Sequence, residues 1–295
     1  MTKISIAIFS SSAKALPALK ALIKDKNLEI NSIVTALPKR RGRDKQLTPN
    51  PIALFAQQQG IKCLELNDFQ LLSTDYCLLI TDLFLILDFD LLLPPEWFNH
   101  PKNGTLNLHF SLLPKYRGPA PVQWALIKGE TESGISLIKI NDKFDHGPIV
   151  YQRKFPIDLN DTAESLYVKL WQETSKILGQ TIKQYIKGNL KSITQPVKSP
   201  TAYARRLTKT DGFVAWHKLE TAMKGTQANR LHNLIRGLHP WPGAYTTIQT
   251  GKKEIQLKIL CSKIENNCLV LETVQLSGKS PISFKAFIAG HPNLY

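Results

Sequence analysis

Asn107 and His109 are the residues of this sequence whose types and spacing are best suited to chemistry. They stand two positions apart at the end of a predicted buried strand, and this spacing places both side chains on one face of an extended segment. An amide can donate a hydrogen bond to an oxyanion, and an imidazole can accept a proton. The pair therefore fits a reaction that passes through a tetrahedral oxyanion.

Transfer of a formyl group from one amine to another needs both functions, because an oxyanion forms while the attacking amine loses a proton. A carboxylate that orients and charges the imidazole would complete the set. Asp145, in the segment Phe144-Asp145-His146-Gly147-Pro148, is the candidate, and Asp142, Asp158 and Asp161 compete with it. Spacing does not choose among these carboxylates. Taken alone, an Asn-x-His pair is structural more often than catalytic.

Alternating apolar patterns predict the elements that position these residues. Buried strands are predicted at residues 4–9, 30–34, 62–66, 76–80 and 105–108, with helices near 16–23 and 52–59. Such alternation is typical of an α/β, Rossmann-like, mainly parallel sheet, whose ligands bind beyond the carboxyl ends of the strands. The first strand-to-helix turn reads Phe9-Ser10-Ser11-Ser12-Ala13-Lys14 and lacks the glycines of a dinucleotide site.

A second domain is predicted after a long amphipathic helix that ends near Gly188. Residues 189–210 are rich in Lys, Ser, Thr and Pro and are interpreted as a linker. A helix at 226–238 and β-like alternation at 244–248, 255–260 and 268–274 predict a small, basic, OB-like β-barrel. We therefore expect a catalytic domain over 1–188, the linker over 189–210 and a small, basic β-domain over 211–295.

The net charge of +15 is unevenly distributed along the chain. Residues 189–295 contain 15 Lys and Arg against 5 Asp and Glu. The loop from Pro38 to Pro49 also has five cations against Asp44, namely Lys39, Arg40, Arg41, Arg43 and Lys45. Clustering of this kind indicates a polyanionic partner, although a general basic bias of composition is the alternative.

Composition also argues against several classes of protein. The four cysteines are scattered without metal-ligand or disulfide spacing, so no metal site is expected. The N-terminus lacks the pattern of a signal peptide, which favours a reducing cytoplasm. The apolar stretch over 76–95 is interrupted by Asp82, Asp88 and Asp90, which favours buried strands over a membrane span.

The run from Asn107 to Gly118, with Phe144 to Pro148, resembles the signature of the folate-dependent formyltransferases, and its SLLP-x-Y-R-G part is the most specific. Three further regions resemble the methionyl-tRNA formyltransferases of that family: Arg41-Gly42-Arg43 with Leu47 to Pro51, the Trp216 region, and Leu234 to Gly243. The resemblance covers nearly the whole chain. It implies transfer of a formyl group from N10-formyltetrahydrofolate to the amino group of methionine on initiator methionyl-tRNA. The related donor 10-formyldihydrofolate stays open.

By the same resemblance, Asn107, His109 and Asp145 take the catalytic positions, and the pterin ring lies against backbone and apolar groups near 89–93 and 141–145. The implied folate contacts are Phe89, Leu91, Leu93, Ser111, Leu112, Leu113, Pro114, Asn141 and Asp142. For the leucines at 91–93, a role in the core is as good an interpretation. The implied tRNA contacts are Lys39, Arg40, Arg41, Arg43 and Lys45, and a monomer is expected.

The sequence departs from the family pattern at several positions. Ser10 to Ala13 replaces a Gly-Thr-Pro-Asp-like turn, and Ala15 stands where an aromatic residue usually packs on the methionine side chain. Asp90 replaces a common glycine beside the folate, and Phe110 is bulkier than usual. The C-terminal domain is short between Leu257 and Gln275, so its barrel is expected to lack a strand or to have short ones.

Two other functions compete with this interpretation. A sugar-nucleotide N-formyltransferase would share the same three catalytic residues but has no evident need for a basic loop and a basic second domain. A non-catalytic RNA-binding protein on the same scaffold would explain the charge but not the intact triad. Formylation assays with different acceptors separate the three functions.

Overall fold

The structure, a computed structural model, describes residues 3–41, 46–67, 80–250 and 253–291. The elements up to residue 109 are β1 (Ile4–Phe9), α1 (Leu16–Lys24), β2 (Leu28–Ala36), β3 (Lys39–Arg41), β4 (Gln46–Thr48), α2 (Pro51–Gln58), β5 (Lys62–Leu66), β6 (Leu83–Ile86), α3 (Pro95–Phe98) and β7 (Thr105–His109). Those that follow are α4 (Pro121–Ile127), β8 (Glu132–Lys139), β9 (Ile149–Pro156), α5 (Ala163–Ile186), α6 (Trp216–Met223), α7 (Ala228–Leu238), β10 (Ala244–Thr250), β11 (Lys253–Glu265), β12 (Cys268–Leu276), β13 (Ile282–Ser283) and α8 (Phe284–Ala289).

Seven strands of the described chain form one sheet in the order β5-β2-β1-β6-β7-β8-β9. The strands from β5 to β7 are parallel to their neighbours, and β8 pairs with β7 in the antiparallel direction. The central strands are apolar on both faces, as parallel strands covered by helices must be. The predicted Rossmann-like, mainly parallel sheet is therefore confirmed.

The register of the parallel strands brings their carboxyl ends to one edge of the sheet. Phe9 of β1 pairs with Val34 of β2 and with Ile86 of β6, and Ile86 in turn pairs with Asn107 of β7. The segments that follow these strands therefore start at the same edge, where ligands bind in open α/β sheets. Phe9 and Phe84 pack with Trp97 in the apolar cluster beneath the edge.

One strand of this sheet differs from the sequence prediction. Residues 76–79 of the predicted strand at 76–80 lie outside the described residues, and Ile80 is exposed and not in a strand. The strand is β6, Leu83–Ile86, whose first three residues are fully buried. Because nearly all of residues 76–95 are apolar, periodicity does not show which four residues enter the sheet.

The chain divides into two compact units that interleave along the sequence. The first consists of Met1–Arg117, Gly134–Arg153 and Val168–Pro200, and the second of Gly118–Ser133, Lys154–Tyr167 and Thr201–Tyr295. Residues 189–208 contain no helix, and their described pairing with a strand is a single bridge from Ile193 to Ile149. The domain boundaries at 188 and 210 stay a prediction.

The second unit contains an antiparallel sheet, as the sequence predicted for this part of the chain. Its described strands pair in the linear order β10-β11-β12-β13, and β13 contains two residues. The prediction of a small, mainly β domain after the Rossmann-like sheet is therefore confirmed. Helices α4, α6 and α7 pack around one apolar core with this sheet.

Helices α4 and α7 approach each other closely at Gly237. A Cβ atom on Gly237 would lie 2.7 Å from Cγ1 of Ile127 and 3.1 Å from the carbonyl oxygen of Gln123. Both neighbours belong to α4 and sit in a buried contact, so they cannot easily move apart.

We expect Gly237→Ala to destabilise the protein by about 1–3 kcal/mol, because overpacking outweighs the gain in helix propensity that alanine normally brings. Chemical denaturation followed by circular dichroism measures the change. Asn229→Ala, at an exposed position of the same helix, is the matched control. An unfolding midpoint for Gly237→Ala equal to or above that of the wild type would contradict the close contact.

Candidate active site

Asn107, His109 and Asp145 meet at the carboxyl edge of the parallel sheet. The side-chain nitrogen Nδ2 of Asn107 lies 3.5 Å from Oδ1 of Asp145, and Nδ1 of His109 lies 3.7 Å from the same oxygen. His109 and Asp145 are buried, with 6% and 9% of their surfaces exposed. One carboxylate oxygen thus faces both the amide and the imidazole.

The ring of His109 is oriented by a backbone carbonyl on its other side. Nε2 lies 3.0 Å from the carbonyl oxygen of Tyr116. A carbonyl only accepts hydrogen bonds, so Nε2 must carry the hydrogen, and in the neutral ring Nδ1 is the nitrogen that can accept a proton. Nδ1 is also the nitrogen on the side of Asp145. The carboxylate therefore lies beside the nitrogen that can take up a proton, while the carbonyl of Tyr116 fixes the tautomer.

Asp145 is held in an unusual backbone conformation. Its φ angle is 55°, in the left-handed region that non-glycine residues rarely adopt. Two residues later, Gly147 packs so closely on the carbonyl of Lys139 that any side chain there would collide with it. The side-chain amide of Gln195 donates hydrogen bonds to the carbonyl oxygens of Asp145, at 3.0 Å, and Gly147, at 2.7 Å. These contacts fix the loop that presents the carboxylate.

Arg117 connects Gln195 to the rest of this loop. It is 3% exposed, and its Nε and Nη2 donate to Oε1 of Gln195 at 3.1 and 2.9 Å. Its Nη1 lies 3.2 Å from Nε2 of His146. Burial lowers the pKa of Arg117, and the negative charge of Asp145 opposes that shift. Burial and the charges of Arg117 and Lys143 lower the pKa of His146, against the opposing charge of Asp145. Because a guanidinium only donates hydrogen bonds, Nε2 of His146 is the acceptor in this contact.

Sequence reasoning missed the positions of these two residues in the site. Arg117 belongs to the run that carries the family resemblance, but nothing in the spacing indicates a partner 78 positions away. Gln195 falls in the segment predicted to be a linker. A polar residue between prolines has no pattern that marks it as buried.

The turn after β7 is also held by buried polar groups. The hydroxyl of Ser136 donates to the carbonyl of Ser111 at 2.6 Å and lies 3.3 Å from the amide nitrogen of Leu113, which donates to it. The side-chain amide of Gln152 donates to the carbonyl oxygen of Leu113 at 2.9 Å. The hydroxyl of Ser111 donates to the carbonyl oxygen of Lys115 at 2.7 Å. The segment 111–115 is therefore a rigid wall beside His109, which favours precise positioning of a bound group.

The competing carboxylates have other surroundings. Asp142 is exposed, three residues before Asp145. Asp161 is buried, and its carboxylate accepts hydrogen bonds from the amide of Asp158 and the hydroxyl of Ser165, both at 2.8 Å. The carbonyl oxygens of Asp158 and Asp161 accept from Arg236. These residues stabilise the start of α5 in the second unit, so Asp145 is the carboxylate that the structure brings to Asn107 and His109.

Comparison with known proteins agrees with this geometry. The family described as Formyl transferase matches residues 2–182, and its C-terminal domain matches residues 206–267. The chain belongs to the formyl transferase family. A methionyl-tRNA formyltransferase of Geobacter metallireducens is 30% identical over 311 residues, covering 98% of this chain and 96% of the relative. The resemblance predicted from the motifs is therefore confirmed.

Solved structures of formyl transferases share the fold. A methionyl-tRNA formyltransferase from Clostridium thermocellum aligns with a TM-score of 0.59 at 15% identity, over 92% of this chain and 98% of that one. An N-formyltransferase from Helicobacter canadensis, in complex with folinic acid and dTDP-3-aminofucose, aligns with a TM-score of 0.61 at 22% identity. The alignment covers 90% of this chain and 89% of that one.

The residues implied to contact the folate fall into two groups in this formyl transferase. Leu93 is buried, and Phe89 and Leu91 are half-buried on the same apolar cluster as Ile140. Leu92 is 74% exposed, and within the described residues the backbone N–H and C=O groups of Leu91 and Leu92 form no hydrogen bond. An apolar floor with unpaired backbone groups at its rim fits a flat heterocycle that carries donors and acceptors. Asn141 and Asp142 are exposed on the loop that leads to Asp145.

Three of the positions that depart from the family pattern are Phe110, Ala15 and Asp90, and the structure explains the bulk of Phe110. Phe110 is buried and packs edge-on against Trp171 of α5, with ring centroids 4.8 Å apart, so its bulk fills the core. Ala15 is fully buried in a short 3-10 helix before α1, which leaves no large side chain at that place. Asp90 is exposed, and its amide nitrogen lies 3.5 Å from the hydroxyl of Ser11.

The basic loop is anchored at both ends by Asn50. Its side chain donates to the carbonyl of Ala36 at 2.9 Å and accepts from the amide of Ile52 at the start of α2. Lys39, Arg40 and Arg41 lie in β3, which pairs with β4 in the antiparallel direction. Arg43 and Lys45 lie outside the described residues.

In the part of the chain that the structure covers, no helix is long and apolar enough to span a membrane.

We expect Gln195→Ala to destabilise the protein by about 1–3 kcal/mol, because two buried carbonyls lose their side-chain donor and the Arg117 guanidinium loses one of its acceptors. Formyl transfer should fall by roughly 10- to 100-fold, since a displacement of a catalytic group of about 1 Å has that cost. Denaturant titration and steady-state kinetics measure the two effects. Gln58→Ala, at an exposed position in α2, should change neither. Wild-type stability and turnover in Gln195→Ala would show that the loop does not depend on this residue.

Proposed function

We propose that this protein transfers a formyl group from N10-formyltetrahydrofolate to the α-amino group of methionine on initiator tRNA, as a monomeric cytoplasmic enzyme. The observation that carries the proposal is the convergence of Asn107, His109 and Asp145 at the sheet edge. The relative from Geobacter metallireducens, matched over nearly the full length of both chains, supports the choice of acceptor.

The proposal gives a separate role to each of the three residues. Asn107 can donate one amide hydrogen to Asp145 and the other to the formyl oxygen, where negative charge develops when the amine attacks. His109 accepts the amine proton at Nδ1, because Nε2 already donates to Tyr116. Asp145 then lies against the imidazolium and stabilises its charge. Reprotonation of the departing nitrogen by His109 would complete the transfer.

A formyl folate would supply the activated one-carbon group. The apolar floor around Phe89, Leu91 and Leu93, with the rim at 91–92 and 141–142, would hold its pterin ring. The rigid turn of Ser111, Leu112, Leu113 and Pro114 would bound the space beside His109. The presence of folinic acid in the Helicobacter canadensis enzyme supports this class of donor.

Charge favours an RNA acceptor over a small amine. Residues 189–295 have ten more cations than anions, and the loop at 38–49 adds a local excess of four. A nucleotide sugar presents few phosphates, whereas tRNA presents one negative charge at each nucleotide. The basic loop would approach the acceptor end while the second unit holds the body of the tRNA.

The decisive experiment offers three acceptors to the purified protein with N10-formyltetrahydrofolate: initiator methionyl-tRNA, elongator methionyl-tRNA and an amino-sugar nucleotide. Formylation of the initiator alone is expected. Transfer only to the sugar would replace the proposal with a sugar N-formyltransferase. Stable binding of tRNA without transfer to any acceptor would indicate a non-catalytic RNA-binding protein.

Each catalytic assignment can be tested by substitution. His109→Ala should lower kcat by about 10²–10⁴-fold, the usual contribution of a positioned acid-base group. Asn107→Ala should lower it by about 10²–10³-fold, as the loss of an oxyanion donor does. Steady-state kinetics with methionyl-tRNA measures both. His217→Ala, at an exposed position, is the control. Near-wild-type turnover in a folded His109→Ala variant would disprove its role.

The basic loop should control affinity for tRNA and leave folate binding unchanged. We expect replacement of Arg40, Arg41 and Arg43 by glutamine to raise KM for methionyl-tRNA and to make its salt dependence less steep, by about 0.7–0.9 in logarithmic slope for each lost phosphate contact. Replacement of Lys20, Lys24 and Lys26, which removes the same charge elsewhere, is the control. Equal effects of the two triple substitutions would mean that net charge, and not this loop, matters.

A further inference from the structure

The second unit contains a cavity of about 680 Å³ that the proposed chemistry does not use. It is bounded by α4, α6 and α7 and by the turn that carries Phe213, and all of its lining residues belong to that unit. Its volume is typical of sites that bind small molecules or single groups of a larger ligand. None of the residues assigned to formyl transfer lines it.

The charged side chains that line this cavity are all cationic. Lys128 of α4, Lys218 of α6 and Arg230 of α7 are exposed around it, and none of its lining residues is acidic. In the described part of the chain these three cations form no ion pair with a carboxylate, and Arg230 donates to the side-chain oxygen of Gln227 at 3.1 Å. Helix α7 begins here without an acidic residue in its first turn, so its dipole adds to the positive potential. The cavity therefore favours an anion.

Aromatic side chains complete the lining. Phe213 is 48% exposed, although its backbone is fixed. Its amide donates to the carbonyl oxygen of Thr210 at 3.2 Å, and the amide of Val214 donates to the carbonyl oxygen of Tyr245 at 2.8 Å. The indole of Trp124 donates to the carbonyl of Arg205 at 2.8 Å, and the Arg205 guanidinium lies 5.3 Å from the ring centroid. An exposed aromatic ring on a rigid turn, beside unpaired cations, has the features of a platform for an unstacked base.

We propose that this cavity binds a nucleotide of the RNA chain, with the base against Phe213 and the flanking phosphates at Lys128, Lys218 and Arg230. The proposal rests on the proposed function and adds a second point of tRNA contact to it. A phosphate alone would not account for the exposed aromatic ring. An apolar partner would not account for three cations without a counter-charge.

The test compares two triple variants that remove the same charge. The cavity variant replaces Lys128, Lys218 and Arg230 by glutamine. The control variant replaces Lys258, Lys279 and Lys285 by glutamine; these are exposed residues of the same unit that do not line the cavity. Filter binding of initiator tRNA at several salt concentrations and formylation kinetics are measured for both. We expect the cavity variant to bind at least tenfold more weakly than the control variant, with KM raised and kcat retained.

Phe213→Ala tests stacking without a change of charge. It should weaken tRNA binding by about 5- to 150-fold at unchanged salt slope, the range found for base–aromatic stacking. Lys128→Arg with Lys218→Arg should retain binding, and thermal unfolding checks that each variant is folded. A mixture of free nucleoside monophosphates serves as a competitor.

The outcomes separate this inference from the proposed function. If the wild type formylates tRNA but the cavity variant binds like the charge-matched control, or Phe213→Ala binds like the wild type, the cavity proposal is wrong and the function stands. If monophosphates bind at the cavity without affecting tRNA binding, the occupant is a free nucleotide and the proposal is wrong. If the wild type neither binds nor formylates tRNA, both fail.

Discussion

A carboxylate buried beside an imidazole is the constraint around which the catalytic edge is arranged. A buried charge is costly unless it is paired, and Asp145 is 9% exposed. Compensation comes from the Asn107 amide, from the His109 ring when it is protonated, and from the charge of the equally buried Arg117. Loss of any one partner would leave the carboxylate with less stabilisation. The position of the Asp145 carboxylate therefore depends on these neighbours as a group.

The same constraint explains why the loop around Asp145 is held so firmly. Its left-handed backbone is of higher energy for aspartate and persists only where neighbouring structure imposes it. Gly147 imposes this conformation by packing closely on the backbone of Lys139. Gln195 imposes it by donating hydrogen bonds to the carbonyl oxygens of Asp145 and Gly147. Because Gln195 also accepts from Arg117, the group that neutralises the carboxylate and the group that fixes its backbone are connected. Position and charge are thus determined together.

The sequence predicts well those features that repeat along the chain or lie close together in it. Alternating strands and helices gave the parallel sheet, and the spacing of Asn107 and His109 correctly placed both side chains at its edge. The choice of Asp145 over Asp142 needed the family resemblance, because nothing local distinguishes two aspartates three positions apart. The strand at 83–86 was missed within a long apolar run. Contacts such as Arg117 with Gln195 join residues 78 positions apart and leave no periodic signal.

Gln195 also shows why composition misleads about the extent of the catalytic region. The segment 189–210 is rich in polar residues and proline, and its residues 189–208 contain no helix. Absence of regular structure does not mean absence of tertiary contacts, since a backbone without a ladder must still pair its polar groups. Up to residue 200 this segment belongs to the first unit, and Ser199 donates to the carbonyl of Pro114 at 2.7 Å. Residues interpreted as a linker therefore hold the backbone of the loop that carries Asp145 and of the turn at Pro114.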